Sequence, residues 1–499
     1  MKILLKFIIL GFLSSLLFPP FFILPIGLII FPFLFFLLID KEFQNKNKSF
    51  HFISGLSYGI SMNFVVLIWI KEPFLIDQTT RNFYFVSYLL IFYCSIYYGL
   101  SFLILSFIKN NFSKLILIPI LFVVIEILRE HLGYGFPWIT FASISSGNSF
   151  ILNLIYYFGT YGLSYFTLVI FLLPVAIILF YKKDIKRIFL KIYLSVSLLI
   201  ILFCIVLIYF RLENGNNLEK KLVDVSLAQL NFSLIDKINN NELNIKYEQI
   251  MEIINQNNSD LLVFAENDYP YLISNLKELD FITSRLNKDQ SIVIGGTKKD
   301  NLKFYNTFFL IEKNTIQDFD KIILVPFGEF LPFRIFLNFF DKIVGSNDFS
   351  PGNKTRLIKT SNNLKMIPII CYEIIFFNNL LNKYNNNSDI LINITNDSWF
   401  GDFSGPYQHF YLTRMRATEF NKTLIRVSGN GISAVINNKG KVLDYIPLNK
   451  KGIKKFKIPI YLNSLPNLKN YHSLIFILLF ILFIFAIVFN KKNNNEKLS

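Results

Sequence analysis

The sequence is poor in cysteine, histidine and acidic residues, and each shortage excludes a class of protein. Its 499 residues contain three cysteines, of which Cys94 and Cys204 lie inside long apolar runs. Cys371 is therefore the only thiol of the polar part of the chain, so no disulfide can form there, and cysteine usage does not fix the redox compartment. The four histidines show no metal-ligand spacing, so the sequence predicts neither a metal site nor a cofactor.

The shortage of acidic residues leaves a strongly basic chain. Fifty Lys and Arg residues against 34 Asp and Glu residues give a formal net charge of +16. The basic residues do not form one cluster, and no basic and aromatic recognition motif is present, so we do not expect nucleic-acid binding. Many of them flank apolar segments instead, as the positive-inside rule describes for membrane proteins.

Long apolar runs dominate the composition. The chain is 53% hydrophobic with a mean hydropathy of +0.45, which is too apolar for one soluble domain. No small-residue cleavage site follows the first run, which indicates a retained span and not a signal peptide. We expect about eight membrane spans, each near the ~20 residues that a bilayer requires: about 1–17, 20–39, 52–70, 83–108, 115–128, 151–181, 188–210 and 473–489.

The charges that flank these spans predict their orientation. Lysines cluster at alternate ends of the spans, beginning with Lys2 and Lys6 and ending with Lys491 and Lys492. Both termini are therefore expected to be cytoplasmic, with the long polar segment outside. We predict a multi-pass α-helical membrane bundle of about seven helices over 1–210, an extracytoplasmic domain over 211–471, and a transmembrane helix with a cytoplasmic tail over 472–499. Strands alternate with helices in the outer domain, which indicates an α/β fold.

Three reactive side chains in the outer domain adjoin strand-like runs. Glu266 follows such a run, Lys321 precedes one, and Cys371 ends another. A thiol, a carboxylate and an ammonium together can perform acyl transfer through a thioester, as nucleophile, general base and oxyanion stabiliser. Taken singly, each residue has an ordinary structural interpretation: a buried cysteine as core filler, a strand-end glutamate as a solvated turn residue, and a lysine as surface charge.

Three other polar residues admit two interpretations. His409 is a candidate catalytic residue mainly because histidines are few, and a satisfied helix residue is the favoured interpretation. Glu126 and Arg129 are spaced i, i+3 near the end of a predicted span. They could form a functional polar site inside the membrane, although a structural ion pair is favoured.

Several longer motifs surround the reactive residues. They are Leu324-Val-Pro-Phe-Gly-Glu-Phe-Leu-Pro332, Asn396-Asp-Ser-Trp-Phe-Gly401, Gly405-Pro-Tyr-Gln-His409, Gly429-Asn-Gly-Ile-Ser433 and, among the apolar runs, Gly135-Phe-Pro-Trp138. With these motifs the chain resembles the nitrilase (carbon-nitrogen hydrolase) superfamily, and within it the membrane-bound branch, the apolipoprotein N-acyltransferases. The resemblance extends over nearly the whole chain, including the insertion of the outer domain before the last span.

The resemblance implies a fold and a set of site residues. The outer domain would be a nitrilase-like αββα sandwich. The implied roles are general base for Glu266, oxyanion lysine for Lys321, nucleophile for Cys371, site support for Glu329, Tyr372 and Glu373, and substrate binding for Trp138 and Trp399. One departure is Ala265-Glu266-Asn267, where the family usually has Pro-Glu-Thr or Pro-Glu-Ser. This change could alter how the base is held, and we expect an effect on rate before an effect on the reaction.

The resemblance also implies a function. A fatty acyl chain would pass from a membrane phospholipid to the N-terminal α-amino group of the diacylglyceryl cysteine of apolipoproteins, the last step of lipoprotein maturation. The expected location is the bacterial inner membrane, with the catalytic domain periplasmic. Two alternatives remain: a membrane-tethered amidase or nitrilase that hydrolyses a C–N bond, and a transporter with an outer accessory domain. The few charges within the spans and the lack of repeated halves disfavour the transporter.

Overall fold

The chain divides into two compact units that alternate along the sequence. The computed structural model describes residues 2–76, 78, 80–182, 187–214, 220–232, 240–332, 334, 347–376, 388–461 and 469–495. The first unit comprises Met1–Ile68, Phe85–Gly215 and Leu468–Ser499, and the second comprises Trp69–Tyr84 and Asn216–Asn467. The short segment Trp69–Tyr84, which lies among the apolar runs in sequence, therefore belongs to the second unit.

The longer elements of the first unit are all α-helices. These are α1 (Lys2–Ser15), α2 (Gly27–Ile39), α3 (Lys48–Val66), α4 (Ser87–Leu105), α5 (Asn111–His131), α6 (Ile155–Lys182), α7 (Arg187–Asn214) and, after the second unit, α10 (Lys469–Asn495). Such helices satisfy their backbone hydrogen bonds internally, which is the condition for crossing lipid. Large apolar side chains on their outer faces, such as Phe33, Leu89 and Phe203, are exposed.

Five helical segments among the described residues are long and apolar enough to cross a membrane. They are Arg81–Leu105, Asn111–His131, Ile155–Tyr181, Arg187–Glu213 and Leu474–Lys491. A sixth candidate is α3 together with Ile68–Leu75, two pieces bent by 68°. The helices α1 and α2 are shorter, with 14 and 13 residues. Five spans of this kind make the chain a membrane protein.

Glu126 and Arg129 organise a loop inside the helical unit. Both are buried, and the Glu126 carboxylate accepts a hydrogen bond from the Phe141 N–H at 2.6 Å. The Arg129 guanidinium donates to the carbonyl of Ile139. Each side chain thus holds the backbone that follows the Gly135–Trp138 motif. This arrangement supports a structural role, though through the loop and not through the expected ion pair.

The second unit contains two six-stranded sheets. In the first sheet the strands are ordered β12-β1-β2-β3-β4-β5, and in the second β11-β10-β9-β8-β7-β6. The strands are β1 (Lys220–Gln229), β2 (Leu261–Val263), β3 (Ser291–Asp300), β4 (Lys303–Glu312), β5 (Ile316–Asp320), β6 (Ile358–Lys359), β7 (Lys365–Ile370), β8 (Ile390–Thr395), β9 (Thr423–Ser428), β10 (Ser433–Ile436), β11 (Val442–Ile446) and β12 (Gly452–Tyr461).

The two sheets have the same internal plan. Strands β1, β2 and β3 are parallel in one, β7, β8 and β9 are parallel in the other, and antiparallel strands flank each trio. Every residue of β2 and β8 is buried, as expected for parallel strands that are covered on both faces. Strand β8 thus lies at the centre of its sheet.

Helices cover the outer faces of both sheets. The sheets face each other, with β1 against β9 and β10, and β4 against β7. Helix α8 (Asn240–Gln256) packs Ile250 and Ile254 against apolar side chains of β2, β3 and β4. Helix α9 (Gly405–Glu419) packs on β9. The result is the αββα sandwich that the resemblance implied. The antiparallel strand β12 was not expected from its sequence.

Candidate active site

The ends of three strands, two in the first sheet and one in the second, bring the reactive residues together. Glu266 follows β2, Lys321 directly follows β5, and Cys371 directly follows β7. Cys371 begins a short helical turn over Cys371–Ile375 and has a φ of 49°, a left-handed conformation that is costly for a residue with a Cβ. Such strain persists only where the surrounding structure enforces it, and it marks this turn as a candidate functional site.

The carboxylate of Glu266 lies at the centre of the site. Its Oε1 accepts a hydrogen bond from Asn306 Nδ2 at 2.7 Å and lies 3.5 Å from Lys321 Nζ. Its Oε2 accepts from the backbone N–H of Asn396 at 2.8 Å. The thiol of Cys371 lies beside this carboxylate, close enough to interact with it. These contacts fix the carboxylate beside the thiol, as a general base requires.

Lys321 is buried between two carboxylates. Its side chain is 1% exposed, and Nζ donates to Glu329 Oε1 at 2.9 Å in addition to its contact with Glu266. Asn306 Nδ2 bridges the same two glutamates, lying 2.8 Å from Glu329 Oε1. The second oxygen of Glu329 accepts from the Val325 N–H at 2.8 Å. A buried ammonium requires such compensation, since an unpaired one would lose its proton.

Burial and charge set the protonation states of the three groups. Burial raises the pKa of the Cys371 thiol, and the negative charge of Glu266 raises it further. Burial also raises the pKa of Glu266, by more than the Lys321 charge lowers it. For Lys321 burial acts in the opposite direction, but the charges of Glu329 and Glu266 outweigh it and hold the pKa above its usual value. The resting site therefore contains a neutral thiol and a charged ammonium.

Glu373 ties the nucleophile turn to the loop after Lys321. Its carboxylate accepts from the backbone N–H groups of Ile322 at 2.8 Å, Ile323 at 3.1 Å and Ile370 at 2.9 Å. The fully buried Arg356 forms a bidentate ion pair with it, with Nη1 at 2.7 Å from Oε2. Burial alone would raise the pKa of Glu373, but Arg356 outweighs burial and lowers it. Glu373 is therefore an anionic anchor for the nucleophile turn.

The three aromatic residues proposed from the sequence differ in burial and in the unit to which they belong. Tyr372 is buried, and its ring packs edge-on against Phe376 at 5.1 Å. Trp399 is 44% exposed in the helical turn Asp397–Phe400. Trp138 lies in the helical unit, where it is buried and stacks on Phe136 at 6.1 Å. Only Tyr372 and Trp399 thus belong to the unit that holds Glu266, Lys321 and Cys371.

The segment Trp69–Tyr84 supports the loop that carries Trp399. The Trp69 indole N–H donates to Gln408 Oε1 at 2.9 Å, and its ring packs on Phe400 at 4.8 Å. A Cβ built on Gly401 would lie 2.7 Å from Cγ of Glu72, so this position leaves no room for a side chain. Residues far away in sequence therefore shape this edge of the second unit.

His409 belongs to a buried charge cluster behind the nucleophile. Its Nδ1 lies 2.9 Å from Asp397 Oδ1, while Arg426 Nη2 donates to Asp397 Oδ2 at 2.6 Å. Burial would raise the pKa of Asp397, but Arg426 and His409 hold it at about 2. The imidazole also lies next to the backbone of Cys371. His409 is thus a buried helix residue paired with Asp397, which agrees with the structural interpretation favoured from the sequence.

The turn that bears Glu266 explains the unusual Ala265 and Asn267. Asn267 has a φ of 55°, a region that asparagine tolerates better than most residues. The Ala265 N–H donates to Asp268 Oδ2 at 2.8 Å, which closes the turn. Gly295 on β3 approaches this turn so closely that a Cβ would lie 2.7 Å from Glu266 Cα. Glu266 is therefore held in place by the backbone packing and the hydrogen bond of this turn.

Two residues of the site carried no signal in the sequence. Asn306 lies within β4, on the sheet that holds Glu266, and Arg356 lies in a loop before β6. Neither belongs to one of the motifs around the reactive residues. Their partners are set by strand pairing and by the fold of the loops, which one sequence does not reveal.

The second unit belongs to a known class of enzymes. The model of the carbon-nitrogen hydrolase family matches residues 225–460, a range that runs from β1 to β12. This range includes Glu266, Lys321 and Cys371, and it leaves out only the segment Trp69–Tyr84 among the parts of the second unit that contribute to the site. The helical unit matches a second family model over residues 10–173, that of the apolipoprotein N-acyltransferase N-terminal domain.

Curated relatives extend this match to almost the full chain. An apolipoprotein N-acyltransferase of Rickettsia typhi is 30% identical, covering 97% of this chain and 98% of its own. One from Aquifex aeolicus is 32% identical over 85% and 93% of the two chains. One from Haemophilus influenzae is 27% identical over 81% and 80%. The chain therefore belongs to the apolipoprotein N-acyltransferase family.

The close approach of Gly295 generates a prediction about the Glu266 turn. In Gly295→Ala the new methyl group would lie 2.7 Å from backbone atoms of Glu266 and Asn267, which cannot move aside cheaply. We expect a loss of about 1–3 kcal/mol of stability, measured as a lower thermal-unfolding midpoint of the purified protein. Gly452→Ala is the matched control, because its Cβ would lie 3.7 Å from Ile446. Equal midpoints for the two variants would show that the turn tolerates the methyl group.

Proposed function

We propose that this protein transfers a fatty acyl chain from a membrane phospholipid to the N-terminal α-amino group of the diacylglyceryl cysteine of apolipoproteins. The transfer proceeds in two steps through a thioester on Cys371, with Glu266 as general base and Lys321 as the oxyanion lysine. The observation that carries the proposal is the buried cluster of these three groups, with Lys321 Nζ 3.5 Å from Glu266 Oε1 and the Cys371 thiol beside the same carboxylate. The names of the relatives support the choice of substrates.

The first step forms the thioester. Glu266 takes the thiol proton, and Cys371 Sγ attacks the carbonyl carbon of the donor ester. The oxyanion of the tetrahedral intermediate accepts hydrogen bonds from Lys321 Nζ and from the backbone N–H of Tyr372. The ester C–O bond then breaks, and the leaving alkoxide takes the proton from Glu266 to give a lysophospholipid. The raised pKa of Glu266 suits both halves of this proton shuttle.

The second step transfers the acyl group to the acceptor. The neutral α-amine attacks the thioester carbonyl carbon, and Glu266 takes a proton from the attacking nitrogen. The C–S bond breaks as the C–N bond forms, and the proton returns from Glu266 to Cys371 Sγ. The enzyme is regenerated, and no cofactor or metal takes part. The burial of the thiol, which is 5% exposed, protects the thioester from water between the two steps.

The remaining candidate residues receive supporting roles. Glu329 holds the charge of Lys321, and Glu373 with Arg356 holds the turn that presents the Tyr372 N–H. Trp399, which is exposed next to the strand-end loops, is proposed to contact the acyl chains of the substrates, and Trp138 of the helical unit keeps the substrate-binding role that the resemblance implies. An exposed aromatic side chain beside a lipid-processing site offers apolar contact area at a low entropic cost.

The location follows from the charge pattern of the chain. We infer that the protein is a multi-pass protein of the bacterial inner membrane, that both termini are cytoplasmic, and that the catalytic domain is periplasmic. The domain bounds we propose are those expected from the sequence, 1–210, 211–471 and 472–499. Donor and acceptor are both lipids of the membrane, so an enzyme with several spans is suited to receive them from the bilayer.

The acyl-enzyme is the direct test of this proposal. Incubation of the purified protein with a phospholipid should add one acyl mass to the peptide that contains Cys371, and hydroxylamine should remove it. Cys371→Ala should form no adduct and should not N-acylate a diacylglyceryl lipoprotein. The control Cys94→Ala, which removes a buried thiol of the helical unit, should behave like the wild type. Normal N-acylation by Cys371→Ala would refute the mechanism, and labelling only by a soluble amide or nitrile would favour the hydrolase.

The raised pKa of Glu266 predicts the acidic limit of the reaction. Only the carboxylate form accepts the thiol proton, so the rate should fall as the pH is lowered through the pKa of Glu266. Because burial raises that pKa, the fall should occur above the ~4.3 of a solvated glutamate. The measurement is the single-turnover rate of acyl-enzyme formation against pH in detergent. Glu266→Gln should reduce the rate at every pH, whereas a wild-type rate that stays constant down to pH 4 would contradict this role.

A further inference from the structure

Thr395 lies beside the nucleophile at the end of the neighbouring strand. Strands β7 and β8 are parallel, and Ile370 pairs with Ile394 in their register. Cys371 and Thr395 are the next residues along the two strands, so they meet at the same edge of the sheet. Thr395 is fully buried. A hydroxyl at this position therefore needs hydrogen-bond partners within the protein.

The Thr395 hydroxyl contacts two groups. It donates to Asp397 Oδ1 at 3.1 Å, and it lies beside the sulfur of Cys371, close enough to interact with it. A threonine hydroxyl can accept as well as donate, and its hydrogen rotates to suit its partners. The hydroxyl thus links the sulfur to a buried carboxylate that the mechanism above does not use.

Asp397 is held in place independently of Thr395. Arg426 Nη2 donates to its Oδ2 at 2.6 Å, and His409 Nδ1 lies 2.9 Å from its Oδ1. All of these side chains are fully buried. A Cβ on Gly431 would lie 2.1 Å from Oδ2, so the backbone also closes around the carboxylate. If the Thr395 hydrogen turns away, the carboxylate keeps its other partners, and no buried charge is left unpaired.

We propose that Thr395 is a further catalytic residue, whose hydroxyl donates a hydrogen bond to the Cys371 sulfur when the thiol loses its proton, and that Asp397 positions this hydroxyl. In the resting site the hydrogen points to Asp397, and on thiolate formation it turns to the sulfur. No bond other than this hydrogen bond changes, and the thiol proton still goes to Glu266. The proposal rests on the proposed function, because it assigns Thr395 to the thiolate of that reaction.

The experiment compares Thr395→Val, Thr395→Ala and Thr395→Ser with the wild type in the full-length protein. Two readouts are used: the alkylation rate of Cys371 by iodoacetamide against pH, and the single-turnover rate of acyl-enzyme formation with phospholipid. Val and Ala lack the hydroxyl, while Ser retains it. Thr423→Val is the matched control, because this buried strand threonine donates to the Pro459 carbonyl at 2.8 Å, away from the nucleophile.

The expected effect is the loss of one hydrogen bond from the Thr395 hydroxyl to the charged sulfur of Cys371. The Val and Ala variants should form the acyl-enzyme about 10- to 100-fold more slowly, with the KM for phospholipid unchanged. The alkylation midpoint should move to higher pH by about one to two units, the same factor expressed as a pKa shift. Thr395→Ser should remain within about threefold of the wild type. If Thr395→Val does not fold, Thr395→Ala gives the measurement in its place, since alanine is smaller than threonine and removes no backbone contact.

Each outcome decides between the alternatives. Unchanged pH profiles in both Val and Ala would overturn the proposal, as would an equal loss in Ser, which would assign the effect to packing. A shift in Thr423→Val of the same size would also overturn it. Failure of the wild type to form an acyl-enzyme would refute the proposed function alone, because the alkylation profiles report on Thr395 without any acyl donor.

Discussion

The site depends on the burial of one ammonium between two carboxylates. Lys321 is 1% exposed, and it lies 2.9 Å from Glu329 and 3.5 Å from Glu266. A lone charge at this depth would be too costly to keep, so the two glutamates are required for the charge, and the charge in turn keeps one of them beside the thiol. Asn306 bridges both carboxylates and fixes their separation. The ammonium that holds these two carboxylates in place is also the group that the proposal assigns to the oxyanion.

A second constraint is the strained backbone of Cys371. Its φ of 49° is maintained by elements on either side: Glu373 and Arg356 anchor the turn after it, and the cluster around Asp397 lies behind it. Both anchors consist of fully buried ion pairs, which are poor sources of net stability but demand one geometry. These buried ion pairs thus fix the position of the Cys371 sulfur, although they contribute little net stability.

Part of this arrangement was predictable from the sequence, because Glu266, Lys321 and Cys371 each adjoin a strand-like run and carry the groups that acyl transfer through a thioester needs. In the structure the three side chains form one cluster that draws on both sheets, and their roles remain a proposal. Asn306, Arg356 and Thr395 could not be predicted in this way, since strand register and loop packing determine their partners. Asn267 was a departure in the sequence, and only its left-handed backbone explains it. Strand β12 was missed because its lysines obscure the strand pattern, and the place of the segment Trp69–Tyr84 depends on tertiary contacts alone.

In the proposed mechanism, acyl transfer prevails over hydrolysis because the thioester is held in a buried site until an amine arrives. The most direct measurement is a chase of the acyl-enzyme: the protein is loaded with a labelled acyl chain, freed of donor, and then mixed with buffer or with a diacylglyceryl-cysteine peptide. We expect the label to persist in buffer and to move to the α-amine of the peptide. Loss of the label as free fatty acid, at the same rate with and without the peptide, would contradict it and identify a hydrolase.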